Sequence, residues 1–373
     1  MTENRLRELL HEVPIPPADH RRAFAVVRQT FLERERVSWP RRHVRALAVS
    51  AAAAAAVAAF ASPPGRAVLG SLRDAVGREG MNHAQTALVS LPSPGRLLVV
   101  SARGAWVVQP DGSRRLLGPY RDASWSPHCL YVAVTRRDQL LAVEPQGKVH
   151  WALARPAVRN PRWTGTRTDT RIAYLSGSRL HLVAGNGTND VDLCGEPAAA
   201  AVAPAWLPGR LLAYATTRGR VYVVDADRCS LEWRSAPYPR PRLLTASSDG
   251  SRLALVAGGQ LIVFVGRRAT ARRLPGVVDA AFAPGTHRLA VVQGGRVLLL
   301  DTDAPAAPPH RIFAAAGRFG QIAWSPDGRW LLVSWPSADQ WLFIRSSGVR
   351  RLLAYSHVAE QLGPGPRVLG WCC

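Results

Sequence analysis

Lysine and methionine are almost absent from this chain of 373 residues, which contains one lysine, Lys148, and two methionines. Arginine therefore carries nearly all of the positive charge, and the formal net charge is +22. Such a large excess of basic residues is often a sign of nucleic-acid binding. However, the arginines are scattered along the whole chain, without the interleaved aromatic residues of a base-stacking groove. We therefore expect no nucleic-acid partner.

The motifs of common catalytic and metal sites are also missing. The chain has no Gly-x-Ser-x-Gly elbow, phosphate-binding loop, His-Glu-x-x-His pair or Cys-x-x-Cys knuckle. Asp225-Ala226-Asp227 and Asp301-Thr302-Asp303 are candidate cation ligands, but we interpret them as aspartates that cap turns at strand ends. His128, His150, His181, His287 and His310 occur singly, and we interpret them as surface or internally satisfied side chains. The sequence predicts no catalytic residues, no cofactor and no metal site.

A degenerate repeat runs through most of the chain. Its clearest copy, Ile322–Val333, contains Trp-Ser-Pro-Asp-Gly followed by an apolar run. The equivalent large or aligned positions recur about every 40 residues, which with four short strands per repeat is typical of a β-propeller. These positions are 125, 163, 206, 246, 282, 324 and 371.

Within each repeat, the pattern predicts a strand ending in a large side chain, a Pro- and Gly-containing turn and three further strands. The first repeat has no anchored first strand of its own, although Thr86–Leu91 is a candidate, and Arg367–Trp371 is an anchored strand without partners. Pairing the C-terminal strand with the first repeat closes the ring and removes two sheet edges. We therefore predict an all-β, seven-bladed propeller over residues 85–373, with six or eight blades as alternatives.

The Trp324–Gly328 turn resembles the repeat of TolB-like and WD-repeat-like bacterial propellers. This resemblance covers roughly residues 86–373 and implies a propeller in which the turn residues are structural. The recurrence of the large side chains at one point of the repeat predicts that they pack between blades. They are Trp125, Trp163, Trp206, Phe282, Trp324 and Trp371.

Charged residues are missing from Ala46 to Gly65, a stretch of twenty residues rich in alanine. This length can cross a bilayer as a helix, and we assign residues 44–64 to a single transmembrane helix. More arginines precede the stretch than follow it, which predicts a cytoplasmic N-terminus and a propeller outside the cell membrane. A soluble alanine-rich helix and a cleaved signal peptide are the alternatives. The long segment before the apolar run argues against the signal peptide.

Residues 1–43 are expected to form a cytoplasmic tail of two short helices, and residues 65–84 a juxtamembrane linker. The tail is either a docking helix for a cytoplasmic partner or a solvated segment beside the membrane. Its layout resembles that of transmembrane anti-sigma factors. The zinc-binding cluster of many such factors is missing, because no cysteine precedes Cys129.

Two of the five cysteines are candidates for a disulfide that closes the ring. Cys129 follows the first turn of the second blade, and Cys372 lies just past the anchor of the strand that completes the first, with Cys373 as the alternative partner. Such a bond would stabilise the fold by on the order of 4 kcal/mol in the chain-entropy model. Free cysteines that fill space are the alternative, and pairing of Cys194 with Cys229 is doubtful.

The leading functional hypothesis is a membrane-anchored, non-enzymatic platform in the bacterial cell envelope that binds a protein or another ligand at the propeller loops or channel. A hydrolase or lyase that acts on wall glycan or peptide is a second hypothesis. Anti-sigma-like regulation through the tail is a third. The arginines either contact anionic lipid or wall polymers or protect blade edges and keep the ring soluble.

Overall fold

The computed structural model describes residues 90–166, 168–193, 195–199, 202–347 and 352–372. These residues form seven four-stranded antiparallel sheets, which are the seven blades of a propeller. The predicted tail (1–43), transmembrane helix (44–64) and linker (65–84) lie outside the described residues. Within the described part of the chain, no helix is both long and apolar enough to cross a membrane.

The first four blades follow the chain in order, except that the C-terminal strand belongs to blade 1. Blade 1 contains β1 (Arg96–Ser101), β2 (Gly104–Val108), β3 (Arg114–Gly118) and the last strand, β28 (Arg367–Cys372). Blade 2 contains β4 (Asp122–Trp125), β5 (Val132–Arg136), β6 (Gln139–Val143) and β7 (Val149–Ala154). Blade 3 contains β8 (Val158–Gly165), β9 (Thr170–Ser176), β10 (Arg179–Ala184) and β11 (Val191–Asp192). Blade 4 contains β12 (Ala205–Trp206), β13 (Leu211–Ala215), β14 (Val221–Asp225) and β15 (Ser230–Arg234).

The remaining three blades complete the ring. Blade 5 contains β16 (Pro241–Ala246), β17 (Arg252–Ala257), β18 (Gln260–Val265) and β19 (Arg268–Arg273). Blade 6 contains β20 (Val277–Phe282), β21 (Arg288–Gln293), β22 (Arg296–Asp301) and β23 (His310–Ala314). Blade 7 contains β24 (Ile322–Trp324), β25 (Trp330–Trp335), β26 (Gln340–Arg345) and β27 (Leu352–Ser356). A short helix, α1 (Val358–Leu362), which the repeat pattern does not predict, precedes β28.

The turn between β24 and β25 shows why the Ser-Pro-Asp-Gly sequence forms this structure. Ser325 Oγ donates a hydrogen bond to Asp327 Oδ1 at 2.5 Å and accepts one from the Trp330 amide at 2.9 Å. Gly328 has φ +66°, a left-handed backbone conformation that residues with a Cβ atom rarely adopt. The turn therefore satisfies its own polar groups and delivers the chain into the next buried strand.

The prediction of ring closure by the C-terminal strand is confirmed. β28 pairs antiparallel with β1, and Leu97 lies opposite Trp371. Ser90 and Leu91 are not part of any strand, so the alternative first strand at Thr86–Leu91 is wrong at its described end. The C-terminal strand takes this place because its apolar face packs between blades 7 and 1.

The hydrophobic core is divided among the seven junctions between neighbouring blades. The junction of blades 1 and 2, for example, joins Leu98 and Val107 to Val132 and Val134, all of which are inaccessible to solvent. Equivalent clusters fill the other six junctions. Because no blade buries both of its faces alone, the stability of each blade depends on its neighbours.

Candidate functional site

The antiparallel order of the strands gives the ring two different ends. One end carries the turns between second and third strands and the connections from blade to blade, and we call it the interblade face. The other end carries the turns between first and second and between third and fourth strands, and we call it the hairpin face. Loops at such ends carry most propeller functions.

The interblade face carries a group of exposed arginines that form no ion pair with any described residue. Asp138, Asp339 and Glu360 are acidic residues on the same face. The carboxylates of Asp138 and Asp339 accept hydrogen bonds from the backbone amides of Ala157 and Ala359. The surface is therefore strongly positive and its guanidinium groups are open to an anionic partner. The arginines are Arg103, Arg121, Arg136, Arg137, Arg240, Arg296, Arg318 and Arg367.

Ion pairs on this face are confined to the region of blades 2 to 4. Arg218 contacts Glu196 at 3.1 Å, and Arg179 forms an ion pair with Asp192. The opposite, hairpin face has ion pairs of its own, beside exposed arginines such as Arg268 and Arg311 that form none with a described residue. Arg171 and Arg210 both contact Asp227 there.

A cleft of about 440 Å³ opens on the interblade face beside blade 1. Three segments form it: the β1–β2 turn, the connection from β3 to β4, and the residues before β28. Arg121 and Arg367 line the cleft, and none of its lining residues is acidic. One amino group of the Arg367 guanidinium donates to the Arg121 carbonyl at 3.3 Å, which holds the two residues side by side.

Tyr120 forms part of the wall of this cleft and is only 7% exposed. Its ring packs over Gly118, where a Cβ atom would lie 2.7 Å from the tyrosine Cε2 atom. Desolvation raises the pKa of Tyr120, and the charge of Arg136 opposes that shift. The hydroxyl makes no hydrogen bond to a described residue, so it is available as a donor to a ligand.

The first strands of the blades pack around the central channel, and alternate residues contact the two neighbouring blades. Asp122 Oδ2 accepts a hydrogen bond from the Asn160 amide of the next blade at 2.8 Å. Asp279 Oδ2 accepts one from the Ile322 amide at 2.9 Å. Carboxylates at the same position of blades 2 and 6 thus bind the inner edge of the following blade.

Arg162 of blade 3 and Asp279 of blade 6 interact electrostatically across the channel. Burial raises the pKa of Asp279 to about 6, although hydrogen bonds from the Ile322 and Ala280 amides and the charge of Arg162 lower it. Desolvation lowers the pKa of Arg162, and Asp122 and Asp279 act in the opposite direction. The channel therefore contains one arginine between two carboxylates.

A Ser–His–Asp arrangement lies on the hairpin face between blades 5 and 6. Ser251 Oγ lies 2.9 Å from His287 Nε2, and His287 Nδ1 lies 2.8 Å from Asp303 Oδ2. However, Nε2 also lies 2.9 Å from Asp249 Oδ2. Hydrogen bonds to Asp249 and then Asp303 raise the pKa of His287. A hydrogen bond from Ser247, followed by that from His287, lowers the pKa of Asp249, and the hydrogen bond from His287 lowers that of Asp303. Because a carboxylate contacts each ring nitrogen, the imidazole is not free to act as the base of a serine nucleophile, and we call this cluster the His287 clamp.

The large side chains named from the repeat lie at the blade junctions. Trp206 Nε1 donates to the Arg162 carbonyl at 2.8 Å, and Trp324 Nε1 donates to the Ala281 carbonyl at 2.9 Å, in each case one blade back. The indole nitrogens of the other tryptophans in the set have no hydrogen-bond partner and contribute packing alone. Those tryptophans are Trp125, Trp163 and Trp371, and Phe282 packs between blades 5 and 6.

The two aspartate motifs cap turns, as their positions after strands predict. Asp225 Oδ1 accepts hydrogen bonds from the backbone amides of Asp227 and Arg228, and Asp301 Oδ1 accepts one from the amide of Asp303. Among the described residues, no group of three or more histidine, cysteine or acidic side chains has metal-binding geometry.

The two cysteines chosen as a candidate pair form a disulfide, with Cα atoms 6.0 Å apart. Cys229 is disulfide-bonded as well. Cys194 lies outside the described residues, so its expected failure to pair with Cys229 is not tested.

Sequence reasoning missed both the His287 clamp and the unpaired arginines of one face. The signal for the clamp is the repeat itself, because Asp249 and His287 occupy the same turn in successive blades. The arginines are recognisable only after each turn has been assigned to an end of the ring, since along the chain they alternate with the arginines of the hairpin face.

No protein-family model matches this chain, and no curated protein matches its sequence. Solved structures do resemble it. A chain of the mitotic checkpoint complex aligns with a TM-score of 0.51 at 14% identity, over 63% of this chain and 76% of that one. The C-terminal WD40 domain of Sif2 aligns with a TM-score of 0.53 at 13% identity, over 70% and 83%. A chain of hydrazine synthase from Kuenenia stuttgartiensis aligns with a TM-score of 0.50 at 14% identity, over 71% and 80%.

These likenesses show the fold. The chain is a seven-bladed β-propeller.

Proposed function

We propose that this protein is a non-enzymatic interaction platform whose interblade face binds an acidic partner protein. The observation that carries the proposal is the group of exposed arginines on that face that form no ion pair with a described residue. Arg137, Arg240 and Arg318 belong to this group, and the ion pairs of the face that involve described residues lie near blades 2 to 4. Exposed, unpaired guanidinium groups steer an acidic surface and form bidentate bonds with its carboxylates.

We further propose that the platform is anchored in the bacterial cell membrane by a single span, with the propeller outside the cytoplasm. The uncharged segment from Ala46 to Gly65 and the excess of arginines before it support this topology. The Cys129–Cys372 disulfide also supports it, because such bonds persist mainly in oxidising compartments.

Charge reversal on one face tests the binding proposal. The triple variant Arg137→Glu, Arg240→Glu, Arg318→Glu is compared with Arg268→Glu, Arg311→Glu, Arg329→Glu, which makes the same charge change at exposed sites off the interblade face. Envelope proteins cross-linked to the full-length chain are then identified by mass spectrometry. An acidic partner should be recovered with wild type and with the control triple, and lost with the interblade-face triple. Equal recovery with both triples would overturn the proposal.

Topology is tested separately. Protease added to intact cells should digest the propeller of the full-length chain and leave the tail protected. Full protection of the propeller in intact cells, with digestion only after lysis, would overturn the proposed location without affecting the binding surface.

A further inference from the structure

The cleft beside blade 1 combines a cavity with side chains that can donate hydrogen bonds. Its volume of about 440 Å³ lies within the range of sites that hold small molecules or side chains. Arg121 and Arg367 supply guanidinium groups at its wall, and Tyr120 supplies a hydroxyl with no hydrogen-bond partner among the described residues.

The wall of the cleft is held in place by the surrounding structure. Ser101 Oγ donates to the Leu362 carbonyl at 2.6 Å, and the Ala102 amide donates to the Pro364 carbonyl at 2.9 Å. These bonds join the β1–β2 turn to the segment before β28. The donors of the cleft are therefore arranged before a ligand arrives, which reduces the ordering cost of binding.

We propose that this cleft binds a carboxylate of an acidic peptide segment, through the guanidinium groups of Arg121 and Arg367 and the hydroxyl of Tyr120. The inference rests on the proposed function and identifies where on the interblade face the partner is anchored. A carboxylate accepts several hydrogen bonds at once, and the phenol donates one that a purely electrostatic surface does not supply. The source of the carboxylate is either a side chain or the C-terminus of the segment.

The test uses the full-length chain and short fluorescent peptides of alternating glutamate and serine. A glutamine counterpart removes the side-chain carboxylates, and an amidated form removes the C-terminal one. Anisotropy titrations should show binding of the glutamate peptide and loss of binding of the glutamine peptide. Loss on amidation alone instead assigns the cleft to a C-terminal carboxylate.

Three variants locate the site. Tyr120→Phe keeps every charge and should weaken binding about fivefold or more, because one hydrogen bond to a charged group is lost. Arg121→Gln should weaken it about tenfold. Arg268→Gln, an exposed arginine on the outer strand β19, should leave it unchanged.

The failures of the two proposals are distinguishable. If Tyr120→Phe and Arg121→Gln bind the peptide as wild type does, while the interblade-face triple weakens binding, the cleft proposal is overturned and the platform proposal stands. If the glutamine peptide and the amidated peptide both bind as well as the glutamate peptide, the cleft proposal fails. If the interblade-face triple also retains its cross-linked partners, the platform proposal fails with it. A urea titration of each variant confirms that it is folded.

Discussion

Cys129 of blade 2 is bonded to Cys372 of blade 1, next to the strand pairing that closes the ring. The same seam is joined by Arg96, which donates to the Cys129 carbonyl at 2.6 Å and lies over the Trp125 ring at 5.2 Å. The ring is thus held shut by a β-ladder, a covalent bond and an arginine at one point. This point is also where the chain ends of the propeller meet.

The double variant Cys129→Ser, Cys372→Ser should be less stable than wild type by about 2–4 kcal/mol, because the open chain gains conformational entropy on unfolding. Urea unfolding of both proteins measures the difference. Mass spectrometry after alkylation of the denatured wild-type chain, with and without reductant, verifies the bond. Identical unfolding midpoints for the two proteins would show that the ladder alone closes the ring.

The His287 clamp should make stability depend on pH in a defined window. The pKa of His287 is raised above its ordinary value of 6.5, chiefly by Asp249, so its contribution is present below that pH and is lost as pH rises through the folded-state pKa. The pKa values of Asp249 and Asp303 are lowered below 3.8, so their contribution is lost only at acidic pH. The clamp therefore operates between about pH 4 and 6.5.

An NMR titration of the histidine ring protons checks this window, with His287→Gln used to assign the signal. The His287 pKa should fall when Asp249 is replaced by asparagine, and fall less when Asp303 is replaced. A His287 pKa at or below 6.5 in the wild-type chain would contradict the clamp.

Asp279 should produce a pH dependence opposite to that of Asp249 and Asp303. Its pKa is raised from 3.8 to about 6, mainly by burial, so the folded state holds a proton that the unfolded state has released in that window. Stability should therefore fall as pH rises from about 4 to about 6, by at most about 3 kcal/mol. In Asp279→Asn this component should disappear, as measured by urea unfolding across the range.

Arg162 supplies the counter-test for Asp279, because its charge lowers the aspartate pKa. Arg162→Gln removes this charge and should raise the Asp279 pKa, so the fall in stability should continue to a higher pH than in wild type. An unchanged pH profile in Arg162→Gln would show that the two charges do not interact across the channel.

Trp324→Phe should destabilise the ring more than Trp371→Phe. The two side chains occupy equivalent positions and are 6% and 8% exposed, so the loss of apolar area is similar. Only Trp324 donates an interblade hydrogen bond, to the Ala281 carbonyl, and its loss leaves that carbonyl unpaired. The difference in unfolding free energy should be about 1 kcal/mol or more, and equal losses would assign both tryptophans to packing alone.

The strands most accurately predicted are those next to strong turn signals. β6 (Gln139–Val143) lies between Asp138 and Pro145, and β18 (Gln260–Val265) lies between Gly259 and Gly266, so residues that favour turns determine where pairing begins and stops. The helix α1 was not predicted, since five residues carry too little periodic pattern to distinguish a helix from a loop.

The candidate site was much less predictable. Tyr120, Arg121 and Arg367 belong to the first and last parts of the propeller, and nothing in their local sequence connects them. Arg162 and Asp279 likewise lie in blades 3 and 6, and their interaction exists only because the ring brings opposite blades to one channel. Such pairs depend on distances through space, which turn chemistry and strand patterns do not encode.

By itself, the sequence determined the repeat and the strand that closes the ring and favoured seven blades, because these follow from local turns and from burying every apolar face. Only the tertiary structure decided which arginines stand together without carboxylates, which form a cleft, and which histidine is clamped. Ion pairs form between charged groups that lie within a few ångströms of each other. The arrangement of the blade ends, rather than the order along the chain, therefore decides which groups pair.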